Sequence, residues 1–352
     1  MAIVTILGAG MMGSGVSWPL SDQEHEVRLV GTHLDTHIIE SIKKDGVHPK
    51  HKRQVAENVK SYFHTEIPLA LDGADIIVCG VSSFGVEWFM EQVNPFLTPE
   101  IPVISITKGL IAHLNGDLQI IPDYMNDLLE EELKGKISLN AIAGPCIAQE
   151  LAARRHSCVY FCGRDAKVLK NLRKVFATDY YHISINTDYI GAEVGVAMKN
   201  AFAIAINLVV GEYQQKGVDG IAFMYNPQAA LFAQSMREMW LLIDLLGGKQ
   251  DGLIELSGSG DLYVTVFGGR NAKLGQLLGK GFSYKEARRE LANETLEGVE
   301  IITRVGTALL KLEERGLVKT SDFPLLMHLL SVIRDGEKVN IPWGKFFSDF
   351  EQ

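Results

Sequence analysis

Residues 3–13 read Ile-Val-Thr-Ile-Leu-Gly-Ala-Gly-Met-Met-Gly, and this stretch decides the fold of the first half of the chain. A buried-strand run flows into Gly8-x-Gly10-x-x-Gly13. Gly8 permits a tight turn after the strand, Gly10 lets the backbone approach a pyrophosphate, and Gly13 lets the next helix pack close to the sheet. Free N–H groups and the helix dipole then favour an anion there. Strand, glycines and helix occur together in the required order, so the stretch reads as a dinucleotide-binding motif.

Working outward, strands and helices alternate. Ile3–Leu7 is followed by a helix over Met12–Leu20 and a strand over Glu26–Val30. The basic stretch from Lys43 to Arg53, with His48 and His51, reads as a solvated surface loop. Asp75–Val81 and Pro102–Thr107 are continuous apolar runs of the kind buried in parallel sheets. Ala141–Ala143 and Cys158–Cys162 read as further strands. The alternation implies an α/β, doubly wound Rossmann-type domain with its ligand crevice beyond the carboxyl ends of the strands.

Near residue 187 the pattern changes. Helices are expected over 189–210, 227–247, 283–291, 299–315 and 324–335, with few strand-like runs. The expected organisation is a dinucleotide-binding domain over 1–187 and an all-α, substrate-binding and catalytic domain over 188–352. The active site is expected in the cleft between them.

Composition narrows the partners. The 352 residues are too many for one ordinary core. A net charge of −9 argues against nucleic acid or anionic membrane as partner. No apolar run approaches the ~20 residues of a membrane span, and the N-terminus does not read as a secretory signal. Cys79, Cys146, Cys158 and Cys162 lack metal-site spacing, so free thiols in a reducing cytoplasm are expected.

Three groups carry candidate chemistry. Residues 193–210 form a nearly all-apolar helix in which Glu193, Asn200 and Asn207 are seven apart and align on one face, with Lys199 beside Asn200. That polar stripe suggests a solvated cleft, where a partly desolvated Lys199 gives up its proton more readily. Lys108 stands at the tip of the strand ending Thr107, followed by Gly109. The stretch Leu256-Ser-Gly-Ser-Gly-Asp-Leu262, with Thr265 and then Gly268-Gly-Arg-Asn271, reads as glycine-rich backbone followed by a guanidinium suited to phosphate. Asp261 can accept from a substrate hydroxyl or orient Lys199.

These motifs, in this order, resemble the soluble NAD(P)-dependent glycerol-3-phosphate dehydrogenases, and the likeness covers nearly the whole chain. It includes the glycine motif, Thr107-Lys108-Gly109, Gly144-Pro145-x-x-Ala148-x-Glu150, Met198-Lys199-Asn200, Gly260-Asp261-Leu262 with Thr265, Arg270-Asn271 and Glu297-Gly298. Lacking the usual bulky insertions, the chain looks like the archaeal-type branch. The resemblance implies that Lys199 moves the proton as glycerol 3-phosphate and dihydroxyacetone phosphate interconvert, for glycerophospholipid synthesis. It implies substrate contacts at Lys108, Gly144, Cys146, Asn200, Asp261, Thr265, Gly269, Arg270 and Asn271. Cofactor contacts would be the glycine loop (Gly8, Gly10, Met11, Met12, Gly13), Lys108, Ala148, Arg270 and Glu297.

The chain also departs from the pattern. Many members carry Ser where Cys146 and Gly269 stand, Lys where Gln228 stands and Arg where Gln234 stands. The last two differences remove positive charge, which opens a related reductase of another 2-keto or 2-hydroxy compound as the alternative. A non-catalytic nucleotide sensor on the same fold is disfavoured by the retained Lys108, Lys199, Asp261 and Arg270. The cofactor is NAD or NADP. At the end of the second strand Gly31-Thr32-His33 stands where an NAD-specific site usually has an acid. Asp35 comes too late, so Thr32 and His33 as 2′-phosphate contacts favour NADP. A homodimer in the cytoplasm, with no membrane insertion, no nucleic acid and no metal, completes the expectation.

Overall fold

Eight strands share one sheet in a computed structural model that describes residues 1–216, 224–292 and 294–347. They are β1 (Ile3–Leu7), β2 (Glu26–Val30), β3 (Val59–Tyr62), β4 (Ile76–Cys79), β5 (Val103–Ser105), β6 (Leu139–Ala143), β7 (Ser157–Cys162) and β8 (Tyr181–Asn186). Their order is β8-β7-β6-β5-β4-β1-β2-β3, and every pairing is parallel except β6 with β7. The strand order reverses between β1 and β4, where an open sheet leaves its ligand crevice. The loop after β1 lies there: a Cβ on Gly8 would come within 2.6 Å of the Gly80 backbone that follows β4.

The central strands read true because both faces are covered: β4 is buried at every position and β1 at all but its first. The edge strands β3 and β8 are not among the sequence expectations. Half of β8 faces solvent, with Tyr181 and Ile183 buried and His182 and Ser184 exposed, so it carries no continuous apolar run. The expected helix over Met12–Leu20 divides into Met11–Gly15 and Ser17–Asp22. Pro19 has no N–H to offer the carbonyl of Gly15, which breaks the ladder at that point.

Two compact units divide the chain: residues 1–108 with 121–193, and 109–120 with 194–352. The hairpin Leu110–Ala112 with Leu118–Ile120 therefore packs with the helical unit, where Arg304 donates to Leu110 O at 2.7 Å and Lys311 to Leu114 O at 2.8 Å. From residue 194 onward the helical unit is otherwise built on the helix Tyr189–Lys216, with Tyr225–Leu245, Gly269–Gly279, Glu297–Glu314 and Pro324–Leu330. Gly275 and Gly279, one turn apart, bring Gly269–Gly279 against the long helix. A Cβ on them would fall 2.3 Å from Ile204 O and 1.9 Å from Leu208 O. Backbones this close leave room only for hydrogen.

Two expectations change here. Among the described residues one helix, Tyr189–Gln215, is long and apolar enough to cross a membrane, contrary to the sequence reading; 83% of its apolar window is buried inside the protein. The stretch 256–271, read as glycine-rich backbone, is largely helical: a π-turn Leu256–Gly260, then Asp261–Val266, then Gly269–Gly279.

Candidate active site

In the first unit the glycine loop is held by backbone and by one carboxylate. Gly13 sits where a Cβ would fall 1.9 Å from Gly8 O, so helix and turn meet at van der Waals limits. At Gly10, by contrast, a Cβ meets nothing within 4 Å, so the loop has open space there for a ligand backbone or phosphate. Asp35 is buried, and its Oδ2 accepts from Thr32 N (3.0 Å), Thr32 Oγ1 (2.8 Å) and Ala9 N (3.3 Å). Through Oδ2 this acid thus ties the turn after β2 to the glycine loop. Thr32 is half-buried on this acid, and His33 is exposed, edge-on to Trp88 with ring centroids 6.3 Å apart.

Lys108 follows β5 and donates from Nζ to Gly144 O at 3.1 Å. Thr107 beside it bonds Val81 O at 2.8 Å, which ties the tips of β4 and β5 together. Gly144 adopts φ 119°, a turn that leaves its carbonyl facing Lys108. Cys146 is half-buried against the sheet core, and Ala148 is buried at the start of the helix Ala148–Ala152. Glu193 is fully buried with no hydrogen-bond partner on either oxygen among the described residues. Burial pushes its pKa up to about 8, against the pull of the Lys108 charge, so it holds a proton at neutral pH.

In the second unit Lys199 Nζ and Asp261 Oδ1 form an ion pair; the lysine side chain is 14% exposed and the aspartate wholly buried. Asp261 is fixed at the start of its helix, and Thr265 Oγ1 closes the next turn on Asp261 O at 2.6 Å. Arg270 pairs with Glu297, both about one-third exposed. Asn271 is buried and accepts from Gly298 N at 3.2 Å, which joins the starts of the helices Gly269–Gly279 and Glu297–Glu314. Gly269 sits at φ 86°, where a serine would be strained, so the glycine there follows from backbone geometry. Asn200 is half-buried beside Lys199.

The polar stripe is overturned as a solvated face. Glu193 is sealed, and Asn207 is buried with Nδ2 on Ala203 O and Val266 O and Oδ1 on Gln276. Gln234 is likewise closed off by protein. It is 1% exposed and donates to Glu238 Oε1 at 2.8 Å, one turn along its own helix. Gln228 is half-buried in the first turn of that helix. The basic loop is also not simply solvated: His48 and His51 are buried beneath the glycine loop.

A largely parallel sheet that ends in this glycine loop is a dinucleotide-binding architecture, and its matches to known families make the chain a dinucleotide-dependent oxidoreductase acting on a CH–OH group. The N-terminal and C-terminal domains described for NAD-dependent glycerol-3-phosphate dehydrogenase match residues 3–168 and 188–342. The chain belongs to that family. An NADP(+)-dependent glycerol-3-phosphate dehydrogenase from Archaeoglobus fulgidus is 35% identical over 96% of both chains. A glycerol-3-phosphate dehydrogenase [NAD(P)+] from Bacillus pumilus is 26% identical over 97% of this chain and 92% of its own. A crystal structure of glycerol-3-phosphate dehydrogenase from Coxiella burnetii superposes with a TM-score of 0.79 at 23% identity, covering 100% of this chain and 99% of that one.

Proposed function

We propose that this chain interconverts dihydroxyacetone phosphate and sn-glycerol 3-phosphate with NADP(H), in the cytoplasm, as a supply of glycerophospholipid backbone. The observation that carries the reading is the Lys199–Asp261 pair: an ammonium held in a nearly closed site by a fully buried carboxylate. The bound dinucleotide supplies the hydride. Lys199 gives a proton to the oxygen that becomes charged as the ketone is reduced, and takes it back in the reverse direction. Asp261 aims the amine at that oxygen. Lys108 and the glycine loop hold the cofactor end; Arg270 and Asn271 hold the remote phosphate and so orient the reacting carbon.

NADP is favoured because Gly31-Thr32-His33 stands at the end of β2, where an NAD-specific site places an acid to accept from the ribose 2′-hydroxyl. Purified protein should consume NADPH on addition of dihydroxyacetone phosphate at a kcat/KM above that with NADH. Equal rates with non-phosphorylated ketones would transfer the reading to the related reductase. Cys79 and Cys162 are buried, and none of the four cysteines forms a disulfide among the described residues, which suits a reducing compartment. A homodimer is the commonest closed assembly for such an enzyme, and light scattering after gel filtration tests it.

Arg270→Ala tests the phosphate grip. Glu297 takes one end of the guanidinium, which leaves further N–H donors for an anion. Charge-assisted bonds of this kind are worth about 2 kcal/mol, so KM for dihydroxyacetone phosphate should rise ~30-fold. The slow rate with unphosphorylated dihydroxyacetone should not change. A parallel loss with both substrates would place Arg270 away from the phosphate.

A further inference from the structure

Beneath the glycine loop lie two histidines that no motif of the family resemblance includes. His48 is fully buried and His51 nearly so. His48 Nε2 lies 3.1 Å from Ala9 O and 3.0 Å from Ser14 Oγ. His51 Nε2 lies 2.9 Å from Met11 O. Ser14 Oγ donates to Gly10 O at 2.6 Å, so side chains hold the carbonyls of three successive loop residues, 9, 10 and 11. The backbone N–H of His51 donates to His48 Nδ1 at 3.2 Å, and the two rings stand edge-on with centroids 4.7 Å apart. Trp18 closes the far side of His51, edge-on with centroids 4.8 Å apart.

This geometry fixes the protonation state of both rings. His48 Nδ1 accepts an N–H, so it carries no proton, and Nε2 is the donor to Ala9 O. His51 donates from Nε2 to Met11 O, while its buried Nδ1 has no partner among the described residues. A second proton on His48 would point at a donor, and one on His51 would be buried without an acceptor. Both rings are therefore neutral when the loop is in this shape.

From this arrangement we propose that His48 and His51 are positioning residues for the dinucleotide, which set the shape of its phosphate loop only while both imidazoles are neutral. The inference rests on the proposed placement of the cofactor on that loop. Gly10, where a side chain would meet nothing, lies between the two anchored carbonyls of Ala9 and Met11, so a shift of either anchor changes the surface offered to the ligand. Burial lowers both imidazole pKa values from the usual ~6.5. Around His48 the Lys50 charge acts in the same direction, and Asp35 and the bond to Ala9 oppose it. Around His51 the charges of His48 and Arg53 lower it, and the bond to Met11 opposes. With a depressed folded-state value, the clamp is fully present above pH ~6.5 and is lost as pH falls through the folded pKa.

The test is NADPH binding to the cofactor-free protein by calorimetry at pH 7.5 and 5.5, with kcat at saturating NADPH as a second readout. His51→Phe keeps the ring volume and loses the donor; Kd should rise about tenfold at pH 7.5 with kcat within twofold. His51→Gln places an amide N–H near the same carbonyl and should restore Kd to within twofold. The double variant His48→Gln with His51→Gln cannot take up the second proton. Between pH 7.5 and 5.5 it should lose about tenfold less affinity than the unaltered protein, and the titration of the cofactor's own phosphates cancels in that comparison. Wild-type affinity in His51→Phe, or an unchanged pH slope in the double Gln variant, overturns the proposal; the Gln variants carry the test alone should the Phe variant not fold. An unaltered protein that binds neither NADPH nor NADH at pH 7.5 overturns the functional reading and this inference with it.

Discussion

Lys199→Ala is expected to lower kcat for dihydroxyacetone phosphate reduction by about 10⁴, with the Kd for NADPH within threefold of the unaltered protein. Two effects are removed together. A positioned general acid contributes ~10²–10⁴, and a fixed positive charge beside the developing alkoxide contributes a comparable factor that overlaps with it. The alanine variant also leaves Asp261 buried without its cation, a disruption that costs about 3–5 kcal/mol of stability. Lost folding and lost chemistry must therefore be separated. Lys199→Arg does so, because arginine keeps the ion pair but does not release its proton near neutral pH. It should recover most of the melting temperature and still turn over at least a hundredfold slower. Added methylamine should partly rescue the alanine variant with a pH dependence that follows free amine protonation. Full activity in the arginine variant would remove proton transfer from Lys199.

Much of this arrangement is legible in the chain because the parts that matter are local. The run Ile3–Leu7 and its glycines state their own geometry, since Gly8 and Gly13 are needed where backbone meets backbone. The apolar strands β4 to β6 are legible for the same reason: burial on both faces leaves no polar alternation to confuse them. What the sequence hides is long-range or depends on context. The glycines from Gly258 to Gly279 look like loop punctuation, yet Gly258, Gly275 and Gly279 sit where neighbouring backbones would leave a Cβ less than 2.5 Å of room. Periodicity places Glu193, Asn200 and Asn207 on one face, but it does not say what covers that face. Glu193 and Asn207 are closed off by protein, and only Asn200 keeps partial exposure beside Lys199. His48 and His51 look like surface charge because the loop they grip is about forty residues away in sequence.

Gln234→Arg is expected to change the pH dependence of stability by about 3 kcal/mol, and the cause is Glu238. This glutamate is wholly buried, with Oε1 accepting from Gln234 Nε2 and Leu325 N and Oε2 from Leu326 N, at 2.7–2.8 Å. Three donors on two oxygens suit a carboxylate at the start of the helix Pro324–Leu330. Burial nevertheless outweighs these bonds and pushes the pKa from 4.5 up to about 7. Between those values the folded chain binds more protons than the unfolded chain, so this group's contribution to stability falls as pH rises through the window. The integrated loss is about 3 kcal/mol at 1.36 kcal/mol per pKa unit. A guanidinium at position 234, as many relatives carry by resemblance, would favour the charged carboxylate and remove that loss. Burying the new cation adds an offset of its own, but one that does not vary with pH in this range. The informative quantity is therefore the difference in urea unfolding free energy between Gln234→Arg and the unaltered protein. It should rise by about 3 kcal/mol from pH 4.5 to 8, with NADPH binding unchanged. A difference that stays flat across that range would show that Glu238 does not titrate there, and a variant that instead tightens dihydroxyacetone phosphate would return position 234 to the substrate.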